Sequence, residues 1–338
     1  MNKSKIFITG VAGFLGSHLA NKFIESGYHV SGCDNLLGGY IDNIPEKVEF
    51  YEYDCTDFNK MNEIISGCDI VYHCAAAPYE GLSVFSPHIV TRNIVDASVS
   101  VISAAISNKV KRFIYCSSMA RYGENKVPFL ETMDPKPQDP YGIGKVAGED
   151  ILKCLSNLHK MKYVIAVPHN IYGPRQKYDD PFRNVASIMV NLMLSDRQPI
   201  IYGDGSQMRC FSYIEDDIKV LFELAFTNHK DLVNNIINIG PDEEFVSIYE
   251  LSEIIAEIVG IELDPIYFPA RPLEVKYATC SADKARRTLN YKTEYSLKNG
   301  LIEMIDWIKG RGIKPFQYHI DLKIVNEFTP KTWTEKKF

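Results

Sequence analysis

Apolar residues in the first half of the chain fall into short unbroken runs, separated by longer stretches where they recur every third or fourth position. Residues 5–9, 28–33, 48–53, 70–73, 112–116 and 163–167 carry the run pattern of buried strands. Residues 14–26, 90–108 and 141–159 carry helical spacing, and the first of these stops at Gly27. Strands alternating with helices predict an α/β fold with a parallel, doubly wound sheet. After Pro168 the rhythm changes. Residues 172–183 are polar, broken by Gly173-Pro174 and Asp180-Pro181, and read as loop. Helices are expected at 185–194, 215–227, 248–259 and 297–309, with strands at 200–202, 236–239 and 265–268. This describes a smaller α/β lobe interleaved with the end of the sheet: a first domain over 1–170, completed by 211–245, and a second lobe from 171–210 and 246–338. Residues 310–338 mix charge and aromatics with weak periodicity, and are expected on the surface or at a subunit contact.

Composition narrows the class. The chain has 338 residues, 46% hydrophobic and 24% charged, which suits a globular enzyme with a large core and excludes disordered or disulfide-stapled chains. A net charge of −6 argues against sequence-independent nucleic-acid binding. No apolar run approaches the length of a membrane span, and the start reads as a first strand and not as a signal peptide. None of the eight cysteines forms a CxxC pair, which favours buried reduced thiols and a cytoplasmic setting. The eight histidines lack zinc-site spacing, so no metal is expected.

Thr9-Gly10-Val11-Ala12-Gly13-Phe14-Leu15-Gly16 joins the first strand to the first helix. Gly10, Gly13 and Gly16 permit a tight turn, close approach of backbone to a pyrophosphate, and close helix packing. A plain strand–helix turn could carry the same glycines, but here the strand, helix and second strand that a dinucleotide site needs are all present. The second strand ends at Asp34-Asn35. An acid there binds ribose hydroxyls and repels a 2′-phosphate, and no Arg or Lys follows through Gly39, so NAD is favoured over NADP. Asp54 could face the adenine or cap the segment 56–58.

Tyr141 and Lys145 are spaced to share one helix face, where an ammonium can draw a phenol's pKa toward working pH. Alone this is a weak signal. It follows a strand ending in Ser117-Ser118, which sets a hydroxyl at the strand's carboxyl end, where open α/β sheets bind ligands. With these pieces the sequence resembles the extended short-chain dehydrogenase/reductases, and within them the NAD-dependent nucleotide-sugar epimerase/dehydratase family, on the side of its UDP-glucose/galactose 4-epimerases. Further matching pieces are His73-Cys74-Ala75-Ala76, Asn93, Ser117 to Gly123, Asn170-Ile171-Tyr172-Gly173-Pro174-Arg175, Arg209 to Asp216, Arg271-Pro272 and Ser281 to Ala285.

The resemblance implies a Rossmann-type sheet with a substrate-binding lobe. It places the catalytic triad on Ser118, Tyr141 and Lys145, with Tyr141 as base, Lys145 on the nicotinamide ribose and Ser118 on the reacting oxygen. It places NAD against Gly10, Gly13, Phe14, Leu15, Gly16, Asp34, Asn35, Asp54, Cys55, Cys74, Ala75, Ala76, Asn93, Tyr141, Lys145 and Pro168. A nucleotide sugar, UDP-linked in the reading adopted, would meet Ser118, Met119, Ala120, Tyr141, Asn170, Asn184, Val185, Ile200, Tyr202, Arg209, Arg271 and Glu274. It also implies a homodimer through the helices at 90–108 and 141–159.

Absences narrow the chemistry. Related 4,6-dehydratases carry an Asp and a Glu directly after the triad hydroxyl, and related decarboxylases a Glu at the second position. Here these are Met119 and Ala120, which transfer no proton. Epimerisation at C4 of a UDP-hexose, UDP-N-acetylhexosamine or UDP-hexuronate remains, beside a dehydrogenase or reductase and a dehydratase using other acids. A non-catalytic NAD-binding scaffold is disfavoured by the intact triad. Arg121, Val167 and His169 depart from the family pattern; Arg121 could meet a sugar carboxylate or serve structure alone.

Overall fold

The computed structural model describes residues 3–338. Seven strands form one parallel sheet: β1 (Lys5–Thr9), β2 (His29–Asp34), β3 (Glu49–Glu52), β4 (Ile70–His73), β5 (Arg112–Cys116), β6 (Lys162–Pro168) and β7 (Asn235–Ile239), in the order β7-β6-β5-β4-β1-β2-β3. The order reverses between β1 and β4, whose ends pair Thr9 with His73. Neighbouring connections leave in opposite directions there and open a crevice at the carboxyl ends of the strands.

Alternation along each strand builds two cores. Ile6 and Ile8 face one side and pack with Leu19 and Phe23 of helix α1 (Phe14–Glu25). Phe7, Val71 and Phe113 face the other, with Met61 of α2 (Phe58–Ile64), Val101 of α3 (Pro87–Ser107) and Leu152 of α4 (Pro140–His159). By length and mean hydropathy (1.4) α3 could cross a bilayer, although Arg92 and Asp96 interrupt its apolar run. Its Ala97, Val101, Ala104 and Ala105 are buried in this core. Such a helix, pressed between sheet and neighbours, is apolar on most of its surface.

Beyond β6, helix α5 (Val185–Leu194) and helix α6 (Ile214–Leu224) fall where the periodicity places them. So do the strands Ile200–Tyr202 and Ile266–Phe268, which pair with each other. Two further small sheets do not: Ile171–Tyr172 pairs with Ser212–Tyr213, and Met208–Cys210 lies between Phe245–Ser247 and Tyr277–Ala278. These short strands lack a periodicity of their own, so their partners define them.

The tail lies on the surface, as expected, with most of its residues exposed, and its last residue, Phe338, also contributes to a cavity wall. Gln317 N donates to Asp179 O at 2.8 Å, and Ile324 N to Phe85 O at 2.9 Å. Trp333 is 3% exposed and lies edge-on to Phe85 and Phe182.

Candidate active site

The crevice at the strand reversal holds two adjoining cavities. The smaller, about 90 Å³, is lined by Gly10, Gly13, Phe14, Asp34, Asn35, Asp54, Cys55, Ala75, Ala76 and Asn93, among others. Gly10 has φ +72°, and a Cβ there would stand 2.9 Å from the Ala75 backbone. At Gly16 a Cβ would meet Gly10 O at 2.2 Å, so Gly16 serves the packing of α1 and does not line the cavity. No side chain caps the N-terminus of α1, which leaves its free N–H groups for a ligand's phosphates. Asp34 accepts from Ala12 N at 3.0 Å and Leu36 N at 2.8 Å. Burial pushes its carboxyl up, and these amides oppose that shift.

This cradle fits NAD. Arg183 also lines it, brought from far along the chain. Its charge is already matched by Asp180 at 3.1 Å, and it lies over the Tyr79 ring and donates to Gly38 O. Asp54 holds the turn at Thr56 (2.9 Å) and accepts from Asn35 (3.2 Å); the cap of α2 is Asp57, not Asp54.

The larger cavity, about 400 Å³, is lined by Ser118, Tyr141, Lys145, Leu15, Pro168, Asn170, Asn184, Val185, Ile200, Tyr202, Arg209, Arg271 and Glu274. Asp139 caps α4 by accepting from Gly142 N at 2.9 Å, which fixes where the helix starts and hence where Tyr141 points. Lys145 lies one turn on, 3% exposed, and its Nζ donates to Cys116 O at 2.8 Å. Burial pushes its ammonium down to about 8. The Tyr141 phenol is pushed well up, chiefly by burial. Ser118 pulls it down, Glu80 and Asp139 push it up, and Arg183 pulls it down. The principal local influence opposing burial is thus the Ser118 hydroxyl, while Lys145 bonds a carbonyl.

In the smaller lobe, Arg209 is held by Met208 O, Lys276 O and Val275 O. Arg271 pairs with Glu274 at 2.6 Å and lies 4.8 Å over the Tyr202 ring, so that face of Tyr202 is taken by a guanidinium. Asn184 caps α5 through Ala186 N at 2.9 Å, and Asn170 donates to Cys210 O at 2.7 Å.

Four expected site residues do not line either cavity. Besides Gly16, Cys74 lies behind the wall with its sulfur 3.6 Å from that of Cys116. Met119 and Ala120 form a 3-10 turn capped by Ser118, and the Met119 side chain packs into the apolar core. Arg121, 1% exposed, forms a buried pair with Glu149 (Nε to Oε1 2.9 Å) and lies over Tyr122, away from the cavities. His169 Nε2 donates to Pro241 O (2.8 Å) under Gly240, and burial pushes the imidazole's pKa down. Sequence reasoning missed Glu80, Lys177, Phe182, Arg183 and Phe338, which the fold brings into the larger cavity from loops and the tail.

A sequence profile described as the NAD dependent epimerase/dehydratase family matches residues 6–240. The chain belongs to this family. It is therefore an NAD-dependent enzyme of the nucleotide-sugar epimerase type. A family member from Methanocaldococcus jannaschii, provisionally named a UDP-glucose 4-epimerase, is 35% identical over 90% of this chain and 98% of its own. The crystal structure of a Thermotoga maritima UDP-glucose 4-epimerase with UDP-glucose superposes with a TM-score of 0.85 at 32% identity, covering 91% of this chain and 99% of that one. A Bacillus cereus UDP-glucuronic acid 4-epimerase, solved with UDP-glucuronic acid and NAD, gives 0.84 at 29% identity, covering 91% and 100%.

Proposed function

We propose that this family member inverts C4 of a UDP-linked sugar through a transient 4-keto sugar. The observation that carries the reading is that Ser118, Tyr141 and Lys145 line one cavity together with Arg209 and Arg271. A diphosphate at the guanidiniums directs the attached sugar toward the phenol. Bound NAD supplies hydride acceptance and return at C4. Tyr141 takes the C4 hydroxyl proton, Ser118 bonds the reacting oxygen, and Lys145 holds its charge beside both. The keto sugar turns in the cavity and presents its other face.

A homodimer through α3 and α4 is part of the proposal, supported by the exposed apolar residues Val99, Ile143 and Leu158 on those helices. A cytoplasmic setting is supported by the free thiols of Cys33 and Cys55, 3.8 Å apart in the core.

Proton NMR of NAD-loaded protein with a panel of UDP-, GDP-, CDP- and dTDP-sugars tests the reading. The expected result is a new anomeric signal from an isomer of unchanged mass. Tyr141→Phe is expected to lower that turnover by about 10²–10⁴-fold while NAD stays bound. Turnover that survives the substitution, or a stoichiometric build-up of NADH, defeats the reading.

A further inference from the structure

One carboxyl in the larger cavity is used by neither the fold nor the mechanism above. Glu80 opens the one-turn helix Glu80–Ser83, directly after the loop that leaves β4. Ser83 donates to Glu80 O at 2.6 Å and to Asp139 at 3.3 Å, which ties this backbone to the cap of the Tyr141 helix. The Glu80 side chain is exposed, but into the cavity. Among the described residues no donor bonds its carboxyl. The nearby cations are engaged elsewhere, Arg271 with Glu274 and Arg209 with backbone carbonyls.

Its neighbours locate it. A Cβ on the adjoining Gly81 would stand 3.4 Å from the Arg271 guanidinium, and Ser83, one turn on, bonds Asp139 at the start of the Tyr141 helix. This short segment thus reaches from a guanidinium that would meet the diphosphate to the helix that carries the phenol, and Glu80 lines the same cavity as both.

We propose that Glu80 decides which sugar the cavity accepts: its carboxyl takes hydrogen bonds from the hydroxyls of a neutral hexose and rejects a hexuronate. This rests on the nucleotide-sugar reading above and narrows it. A carboxyl kept for structure would be held by a cation or an amide, and among the described residues this one is bonded by neither. A ligand with hydroxyl donors supplies the missing partners. A ligand with its own carboxylate sets two like charges together in a confined site, which is strongly unfavourable.

The test compares wild type, Glu80→Gln and Glu80→Ala, all full-length and NAD-loaded, by calorimetric titration with UDP, UDP-glucose and UDP-glucuronate. Turnover of both sugars is followed by NMR. Wild type is expected to bind UDP-glucose at least about tenfold more tightly than UDP-glucuronate, and Glu80→Gln to cut that ratio by about tenfold. UDP affinity, which reports an intact lobe, is expected to stay unchanged. A ratio that is the same in all three proteins, or a wild type that prefers UDP-glucuronate, overturns the proposal. So does a dehydrated product made by wild type and lost in Glu80→Gln, which would make Glu80 a proton-transfer group. If both sugars bind and neither turns over, the epimerase reading fails while the binding ratio still judges Glu80. If UDP binds and neither sugar nucleotide does, both readings fall.

Discussion

Lys145 shows how one residue's surroundings set its chemistry. Its spacing from Tyr141 is legible in the sequence, but its state is not. Burial under Tyr115 and against the Cys116 carbonyl takes the ammonium down to about 8. It is charged at neutral pH and loses its proton as pH rises through about 8. Turnover is accordingly expected to fall on the alkaline side with a midpoint near there, and Lys145→Met to leave a low rate without that limb. A pH profile of kcat checks both. Stability runs the other way. Between about 8 and the ordinary lysine value, the unfolded chain holds the extra proton, so this residue adds stability as pH rises. Arg121 and His169 also teach at this scale. As unusual residues beside a catalytic motif they invite functional readings, and only burial and pairing with Glu149 and with Pro241 O identify them as structural.

The turn between β1 and α1 shows what a local element can announce by itself. Its glycine spacing was readable because each glycine answers a local demand that no other residue meets. Gly10→Ala forces a side chain into a left-handed backbone and against Ala75. Such strain costs about 1–3 kcal/mol, which loosens bound NAD by about tenfold or more. Cofactor content after purification and a fluorescence titration measure it, and a variant that retains NAD as wild type does contradicts the assignment. The long elements were legible for a similar reason. Helices α4 and α5 carry enough repeats of one period to declare themselves. Helix α2 is too short for that, and its start rests on one capping aspartate, Asp57.

At the scale of the molecule, the tail takes a part that its weak periodicity did not announce. Trp333 fastens it between Phe85 and Phe182. Tyr202 bonds Thr332 at 2.5 Å, and Phe338 reaches the cavity wall. Removing a buried tryptophan costs about 3–5 kcal/mol, all of it at the point where the end of the tail is fastened. Trp333→Ala is expected to loosen the tail around that point, raising KM for the nucleotide sugar while NAD affinity holds. Faster amide exchange confined to the tail and its contacts checks the cause; an unchanged KM would mean that the tail is not part of the site. The sequence by itself determined the parallel sheet, the glycine turn and the shared helix face of Tyr141 and Lys145, because each rests on periodicity or on residues close along the chain; Ser118 joined them through the family resemblance. The tertiary structure alone decided that Glu80, Arg183 and Phe338 share a site with them, and that Met119 and Ala120 do not line it. Such meetings follow from how distant segments pack to exclude water, and that packing leaves no periodic trace in the segments it joins.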